Sequence, residues 1–112
     1  MTAHLPDRGE IVLIDFEPSA GKEIGKRRPA VVMSHKTYNR KVGLVVVCPI
    51  TTKVSGYPFE VDLQAKSILG AALADRFHTF DWRARNAQRA DRVSDAVLAE
   101  ILGKFLALVG PN

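Results

Sequence analysis

A cluster of basic residues occupies residues 17–28 (EPSAGKEIGKRR), which include Lys22, Lys26, Arg27 and Arg28. Lysine and arginine side chains bind phosphate groups, and arginine does so with a planar pair of donors. The whole chain carries a net charge of +4 and has an isoelectric point near 9.5. These charges permit a polyanionic partner such as a nucleic acid, although they do not establish one.

The cysteine and the histidines offer little catalytic chemistry. Cys48 is the only cysteine and lies in the apolar run VVVCPI, so we expect a buried, unreactive thiol. His4, His35 and His78 are far apart in the sequence, and none has a second ligand at a spacing typical of metal sites. The sequence predicts no metal site and no cofactor.

Strand patterns fill most of the chain. Residues 10–16 (EIVLIDF) are rich in β-branched side chains and are followed by Pro18. Residues 29–34 (PAVVMS) and 43–49 (GLVVVCP) are apolar runs joined by a polar segment, which is typical of adjacent strands buried on both faces. Three further candidates follow, the first with a period of two, at residues 57–63, 70–74 and 77–82.

The last element is predicted to be an amphipathic helix. Ser94 can cap it, Asp95 complements its dipole, and Gly110 and Pro111 end it. Apolar residues recur at spacings of three and four: Leu98, Ile101, Leu102, Phe105, Leu108 and Val109. Many short strands before one helix predict a mainly β fold, a β-barrel or curved sheet plus helix, in one domain over residues 1–112.

Nothing in the sequence predicts a membrane or secreted protein. The chain lacks a run of about 18 apolar residues, and residues 1–8 lack the basic start and apolar stretch of a secretion signal. We therefore expect a cytoplasmic protein without a membrane partner.

Several blocks, taken in order, resemble one protein family. They are residues 8–18 (RGEIVLIDFEP), 28–34 (RPAVVMS), 49–52 (PITT), 56–61 (GYPFEV), 73–75 (LAD) and 81–85 (DWRAR). In this order and spacing the chain resembles the MazF/PemK toxins of type II toxin–antitoxin systems over nearly its whole length. The resemblance implies an SH3-like half-open barrel of the CcdB/PemK type with a C-terminal α-helix. It also implies a homodimer that cleaves single-stranded RNA, including mRNA, and a cognate antitoxin with an acidic, disordered tail.

The resemblance assigns catalytic roles to three residues. Metal-independent RNA cleavage uses the substrate 2′-hydroxyl as nucleophile and leaves a 2′,3′-cyclic phosphate and a 5′-hydroxyl, so the protein must stabilise phosphoryl charge and transfer protons. Arg28 and Thr51 match the family's catalytic pair. Glu23 matches an acidic residue near the site that could orient Arg28 or accept a proton. The general base stays open, because arginine remains protonated and is a poor base.

Other residues are expected to bind the RNA. Arg83 and Arg85 are two residues apart and would share one face if their segment is extended, with Trp82 facing the other way as a packing or dimer-interface anchor. Stacking of a base on Trp82 is the alternative. Arg76 stands where the family resemblance predicts glutamine. The full expected set is Lys22, Lys26, Arg27, Lys53, Tyr57, Arg76, Arg83 and Arg85.

Two other functions compete with the nuclease. A CcdB-like toxin of the same fold would bind DNA gyrase without catalysis, so that Arg28 and Thr51 would be dispensable. A basic RNA-binding module would bind RNA in a salt-sensitive manner without cutting it. The combination of RPAVVMS and PITT favours the nuclease.

Overall fold

The structure is a computed structural model that describes residues 2–16, 27–65 and 67–111. These residues form seven strands and two helices. A short helix lies between the second and third strands, and a longer helix ends the fold. The elements are β1 (Glu10–Asp15), β2 (Arg27–Val32), α1 (Lys36–Val42), β3 (Leu44–Thr51), β4 (Glu60–Asp62), β5 (Ala71–Leu73), β6 (His78–Asp81), β7 (Gln88–Arg92) and α2 (Asp95–Val109).

Strand β3 is the centre of an antiparallel sheet. The strand order is β4-β5-β3-β2-β1-β7, and β6 pairs with the same edge of β3 as β5 does. The amino-terminal half of β3 pairs with β6, while Ile50 and Thr51 at its end pair with Ala72 and Ala71 of β5. The sheet is not closed between β4 and β7. This confirms the predicted mainly β, half-open architecture with a C-terminal helix.

The sheet is buried on both faces, as its apolar central strands predicted. Val31 of β2 packs into a core beneath α2, whereas Ala30 and Val32 pack into a second core on the opposite face. The second core includes Val45 and Trp82 but not Thr51, which is only partly buried at the carboxyl end of β3.

The predicted C-terminal helix is present with its predicted cap. The Val97 N–H donates to the Ser94 hydroxyl oxygen at 3.2 Å, and the helix ends at Gly110. Leu98 and Ile101 are buried against the sheet. Leu108 and Val109 on the final turns remain exposed. None of the helices in residues 2–16, 27–65 and 67–111 is long and apolar enough to span a membrane.

Two elements were not predicted from the sequence. Helix α1 replaces the polar connection expected between β2 and β3, and Gly43 ends it with a φ of 79°. Its buried residue is a polar one, Asn39, which bonds the Pro6 and Ser34 carbonyls, so no apolar stripe reveals this helix. Strand β7 is an edge strand of mainly polar residues, with no hydrophobic alternation.

The extended segment that would set Arg83 and Arg85 on one face does not form. Strand β6 ends at Asp81, and residues 82–86 form a turn instead. The Asp81 carboxylate accepts the N–H groups of Arg83 and Ala84 at 3.1 and 3.0 Å, which favours the turn over continued strand.

Candidate active site

The structure brings Arg28 and Thr51 to facing positions on β2 and β3. Ala30 pairs with Pro49 and Val32 with Val47, so the same antiparallel register extended by two residues sets Arg28 opposite Thr51. Both side chains line one cavity of about 330 Å³ with Lys53. The two residues that the family resemblance paired are therefore neighbours in the fold.

The hydroxyl of Thr51 is oriented by the backbone that follows it. Its oxygen accepts the N–H of Lys53 at 3.1 Å. Since a hydroxyl has one hydrogen to donate and that bond uses an oxygen lone pair, the hydrogen stays available for a ligand in the cavity. Thr51 can therefore act as a donor to a phosphate oxygen.

Arg27 and Arg28 have different environments because successive side chains of a strand point to opposite faces. Arg27 donates to the Asp15 carboxylate at 3.2 Å and to the Asn86 carbonyl at 2.6 Å. Arg28 instead lines two cavities on the other face of β2. This geometry favours Arg28 over Arg27 as the phosphate-binding residue.

An aromatic wall adjoins Arg28. The second cavity, of about 280 Å³, is lined by Phe16, Arg28, Pro49, Leu73, Arg76 and His78. The Phe16 ring meets His78 edge-on with centroids 5.5 Å apart, and the His78 ring stacks on buried Phe80 at 5.2 Å. Sequence reasoning did not select Phe16 or His78. His78 can be recognised as a site residue only from the β3–β6 register, in which it pairs with Val47 on β3.

A third cavity continues past Thr51. It measures about 200 Å³ and is lined by Thr51, Lys53, Ser55, Tyr57, Glu60, Leu73 and Arg76. Shared lining residues connect the three cavities into one groove, which we call the active-site groove. Its cationic side chains are Arg28, Lys53 and Arg76, so the groove has the charge needed to bind a phosphodiester chain.

The acidic residues at the groove are engaged with protein groups. Glu60 accepts the Gly56 N–H at 2.9 Å and also the N–H and hydroxyl of Ser55. The Ser55 N–H, followed by that of Gly56, holds the pKa of Glu60 below its usual value. The Tyr57 hydroxyl donates to the Asp75 carboxylate at 2.6 Å, and this bond raises the pKa of Tyr57. Tyr57 therefore stays a neutral phenol at physiological pH.

Neither Arg83 nor Arg85 lines the three cavities of the groove. The Arg85 guanidinium sits 4.2 Å from the Phe80 ring centroid and donates to the carbonyls of Asp15 and Phe16 at 3.0 and 2.6 Å. Arg85 thus helps to hold Phe16 in place through the Phe16 carbonyl. The Arg83 guanidinium lies 4.7 Å over the Trp82 ring.

Trp82 and Cys48 have the structural roles expected of them. Trp82 is 3% exposed and donates from its indole N–H to the Asn39 carbonyl at 2.8 Å, which confirms the packing role. Burial, and then the nearby Asp75 carboxylate, raise the pKa of the Cys48 thiol to about 12. The thiol is therefore unreactive, as predicted.

Three expected site residues, Glu23, Lys22 and Lys26, lie outside the described residues. Within residues 2–16, 27–65 and 67–111, no three His, Cys, Asp or Glu residues are grouped as a metal site requires. His4 instead contacts Glu10, with 2.9 Å between the ring nitrogen and the carboxylate oxygen.

Comparisons with known proteins agree on one family. Residues 7–109 match the family described as PemK-like, MazF-like toxin of type II toxin-antitoxin system. The chain is 40% identical over 110 residues to the endoribonuclease toxin MazF of Escherichia coli K12, covering 98% of this chain and 99% of that protein. It is 30% identical over 108 residues to the endoribonuclease PemK of Escherichia coli, covering 92% and 81% respectively.

Solved structures show the same similarity. MazF from Deinococcus radiodurans has a TM-score of 0.86 at 44% sequence identity, covering 96% of this chain and 99% of that one. The MazE–MazF complex from the same organism gives a TM-score of 0.90 at 44% identity, covering 97% and 99%.

Proposed function

Since this chain belongs to the PemK-like, MazF-like toxins of type II toxin–antitoxin systems and acts as an endoribonuclease toxin, we propose that it cleaves single-stranded RNA without a metal ion, using Arg28 and Thr51. The observation that supports these residues is their facing position across β2 and β3 in a cationic groove. We expect the substrates to include mRNA and the activity to be cytoplasmic.

In the proposed reaction the ribose 2′-oxygen attacks the adjacent phosphorus after a base removes its proton. The bond from phosphorus to the 5′-oxygen breaks, and the leaving oxygen takes up a proton. The products are a 2′,3′-cyclic phosphate and a 5′-hydroxyl. Arg28 would donate a planar pair of hydrogen bonds to the non-bridging oxygens, and Thr51 would donate a third. Glu23 is a candidate for proton transfer or for orienting Arg28.

The groove on either side of this pair would hold the RNA chain. Lys53 and Arg76 would bind the RNA on one side, with Tyr57 beside them. The exposed ring of His78, with Phe16 beside it, would offer a stacking surface for a base. Because Arg27 is bonded to Asp15 and neither Arg83 nor Arg85 lines the groove cavities, we assign these three arginines secondary roles in RNA binding.

The cationic groove also suits the partner. The related Deinococcus radiodurans toxin forms a MazE–MazF complex. We infer that a cognate antitoxin with an acidic, disordered tail would occupy the groove here and compete with RNA for Arg28, Lys53 and Arg76. Of the competing functions, gyrase binding gains no support from these side chains, and pure RNA binding would leave the facing Arg28 and Thr51 without a role.

The test uses purified protein, with EDTA present, on a long unstructured RNA whose cut ends are mapped. Wild type is expected to make discrete cuts that leave 2′,3′-cyclic phosphate ends. Arg28→Ala and Thr51→Val should each lower the single-turnover rate by about 10²- to 10³-fold, since each removes donors to the charged transition state. Thr51→Ser should retain most of the activity, because it keeps the hydroxyl.

Arg40→Ala is the matched control, an exposed arginine on α1 outside the groove, and it should cut like wild type. Intact RNA in the presence of folded wild-type protein would contradict the nuclease. Full cutting by Thr51→Val would contradict the role of its hydroxyl.

A further inference from the structure

An unsatisfied carboxylate oxygen lies beneath the active-site groove. Asp75 accepts the Tyr57 hydroxyl hydrogen bond on Oδ2 at 2.6 Å. Its other oxygen, Oδ1, is buried and accepts no hydrogen bond from any residue in the described part of the chain. A buried carboxylate oxygen without a donor is costly, so a nearby donor would be drawn to it.

Arg76 is the donor next to that oxygen. Its Nε lies 3.9 Å from Asp75 Oδ1, slightly beyond hydrogen-bond distance, and its side chain is 62% exposed against 16% for Asp75. A small rotation of the Arg76 side chain would complete a charge-assisted hydrogen bond through Nε. The two terminal Nη groups would then point away from Asp75 as a fixed pair of donors.

The position of Arg76 puts that pair of donors at the junction of two cavities. One cavity contains Arg28 and the other contains Thr51 and Lys53, and both also include Leu73. With Arg28, Thr51 and Lys53 available to the phosphate, Arg76 is not needed there. The apolar walls formed by Leu73 and Pro49 suit the flat face of a base better than a second phosphate.

Guanine is the base whose Hoogsteen edge fits such a donor pair. Its O6 and N7 are adjacent acceptors, whereas adenine presents an acceptor beside an amino donor, and each pyrimidine presents a single polar group there. Arginine has donors only, so it is repelled by the adenine amino group and matched by both guanine acceptors. Unpaired RNA bases expose this edge to protein.

We propose that Arg76, positioned by the Asp75 carboxylate, is a specificity-determining residue that reads the Hoogsteen edge of a guanine next to the scissile phosphate. This inference rests on the proposed nuclease function. It makes the arginine at position 76 the source of a guanine preference, with Asp75 as a positioning residue that need not touch the RNA.

The first experiment maps the cuts that wild type, Arg76→Gln, Arg76→Lys and Asp75→Asn make in a randomised single-stranded RNA pool. Wild-type cuts are expected to share a guanine at one fixed position. Arg76→Gln should lower the ratio of cutting at guanine to cutting at adenine by about 10- to 100-fold. Arg76→Lys should also lower this ratio, because lysine lacks the paired donors. Asp75→Asn should lower it as well, because asparagine would no longer hold the Arg76 donors in place.

The second experiment uses an RNA oligonucleotide in which 7-deazaguanosine replaces that guanosine, which removes the N7 acceptor. The wild-type rate should fall about tenfold, and the Arg76→Gln rate should not fall further. This comparison does not depend on the folding of Asp75→Asn. Tyr57→Phe should keep the guanine ratio whatever its overall rate, since Asp75 Oδ1 still faces Arg76, and Arg40→Gln should match wild type.

The outcomes separate the two proposals. Wild type that cuts without a shared guanine, or with a shared cytosine, would overturn this inference alone. The same holds if Arg76→Gln slows all sites equally, which would indicate a phosphate contact, or if deaza substitution affects wild type and Arg76→Gln alike. Wild type that does not cut at all would overturn the proposed function and this inference with it.

Discussion

Neighbouring residues of the same type make different contacts and have different roles in this protein. Arg27 is bonded to Asp15 and to the Asn86 carbonyl, while Arg28 faces the active-site groove. The two carboxylates near the groove also differ: Glu60 has several donors, whereas Asp75 Oδ1 has none among the described residues. Alternation along a strand and local hydrogen bonding decide which charge is structural and which is available for a ligand.

Glu60 supports a prediction at the residue scale. Hydrogen bonds from Ser55 and Gly56 lower its pKa below the ordinary value of 4.5. A pKa that is lower in the folded state adds stability that is complete above pH 4.5 and is lost as the pH falls through the folded-state pKa. The difference in unfolding free energy between wild type and Glu60→Gln should therefore shrink in that acid range.

The measurement is urea denaturation of both proteins from pH 7 to pH 3, with NMR of the Ser55 and Gly56 amides. The amide shifts of wild type should titrate with a midpoint below 4.5, and those of Glu60→Gln should not. A wild-type midpoint at or above the ordinary value would refute the prediction.

At the scale of elements, β3 organises the site. It carries Thr51, pairs with β2 on one edge to meet Arg28, and pairs with β6 on the other edge to bring His78 alongside. The end of β3 then pairs with β5, where Gly70 approaches closely. Thr51 is therefore held by strands from both sides.

Gly70 provides the element-scale prediction. Its φ is +129°, and a Cβ at this position would collide with the Thr51 carbonyl oxygen. Gly70→Ala should lower the free energy of unfolding by about 1–3 kcal/mol and reduce RNA cleavage, because Thr51 must move.

Gly103→Ala is the matched control, since a Cβ there meets nothing within 4 Å and lies on α2. It should raise the unfolding free energy by about 0.5–1 kcal/mol and leave cleavage unchanged. Urea denaturation and single-turnover cleavage measure both variants. If Gly70→Ala and wild type have the same free energy of unfolding, the approach of position 70 to the Thr51 carbonyl oxygen does not require glycine.

At the scale of the whole molecule, helix α2 extends beyond the core that it covers. Its first turns bury Val97, Leu98 and Ile101, but Leu106 and Val109 near its end are 52% and 57% exposed. Apolar side chains grouped at one end of a helix indicate a surface that another chain can cover. We propose that this surface contributes to the interface of the homodimer that the family resemblance implies.

Leu106→Glu tests the dimer. A charge at the end of α2 should convert the proposed dimer to a 12.3 kDa monomer at micromolar concentration, as measured by sedimentation velocity. Val42→Glu is the control, because Val42 has the same 52% exposure but lies on α1. A dimeric Leu106→Glu protein would place the interface elsewhere.

The sequence by itself determined the elements whose signals are local. Strands β1, β2 and β3 are recognisable as short apolar runs, and α2 by its Ser94 cap and its apolar periodicity. The resemblance of residues 28–34 and 49–52 to one toxin family selected Arg28 and Thr51 before their proximity was visible.

The tertiary structure decided what depends on register between distant segments. Only the double pairing of β3 brings His78 beside Arg28, and only the fold brings Tyr57 to Asp75. The Asp81 hydrogen bonds favour a turn at residues 82–86, so Arg83 and Arg85 do not share one strand face. Such contacts join residues far apart in sequence, and a strand's side-chain pattern fixes which face it buries but not which partner it meets.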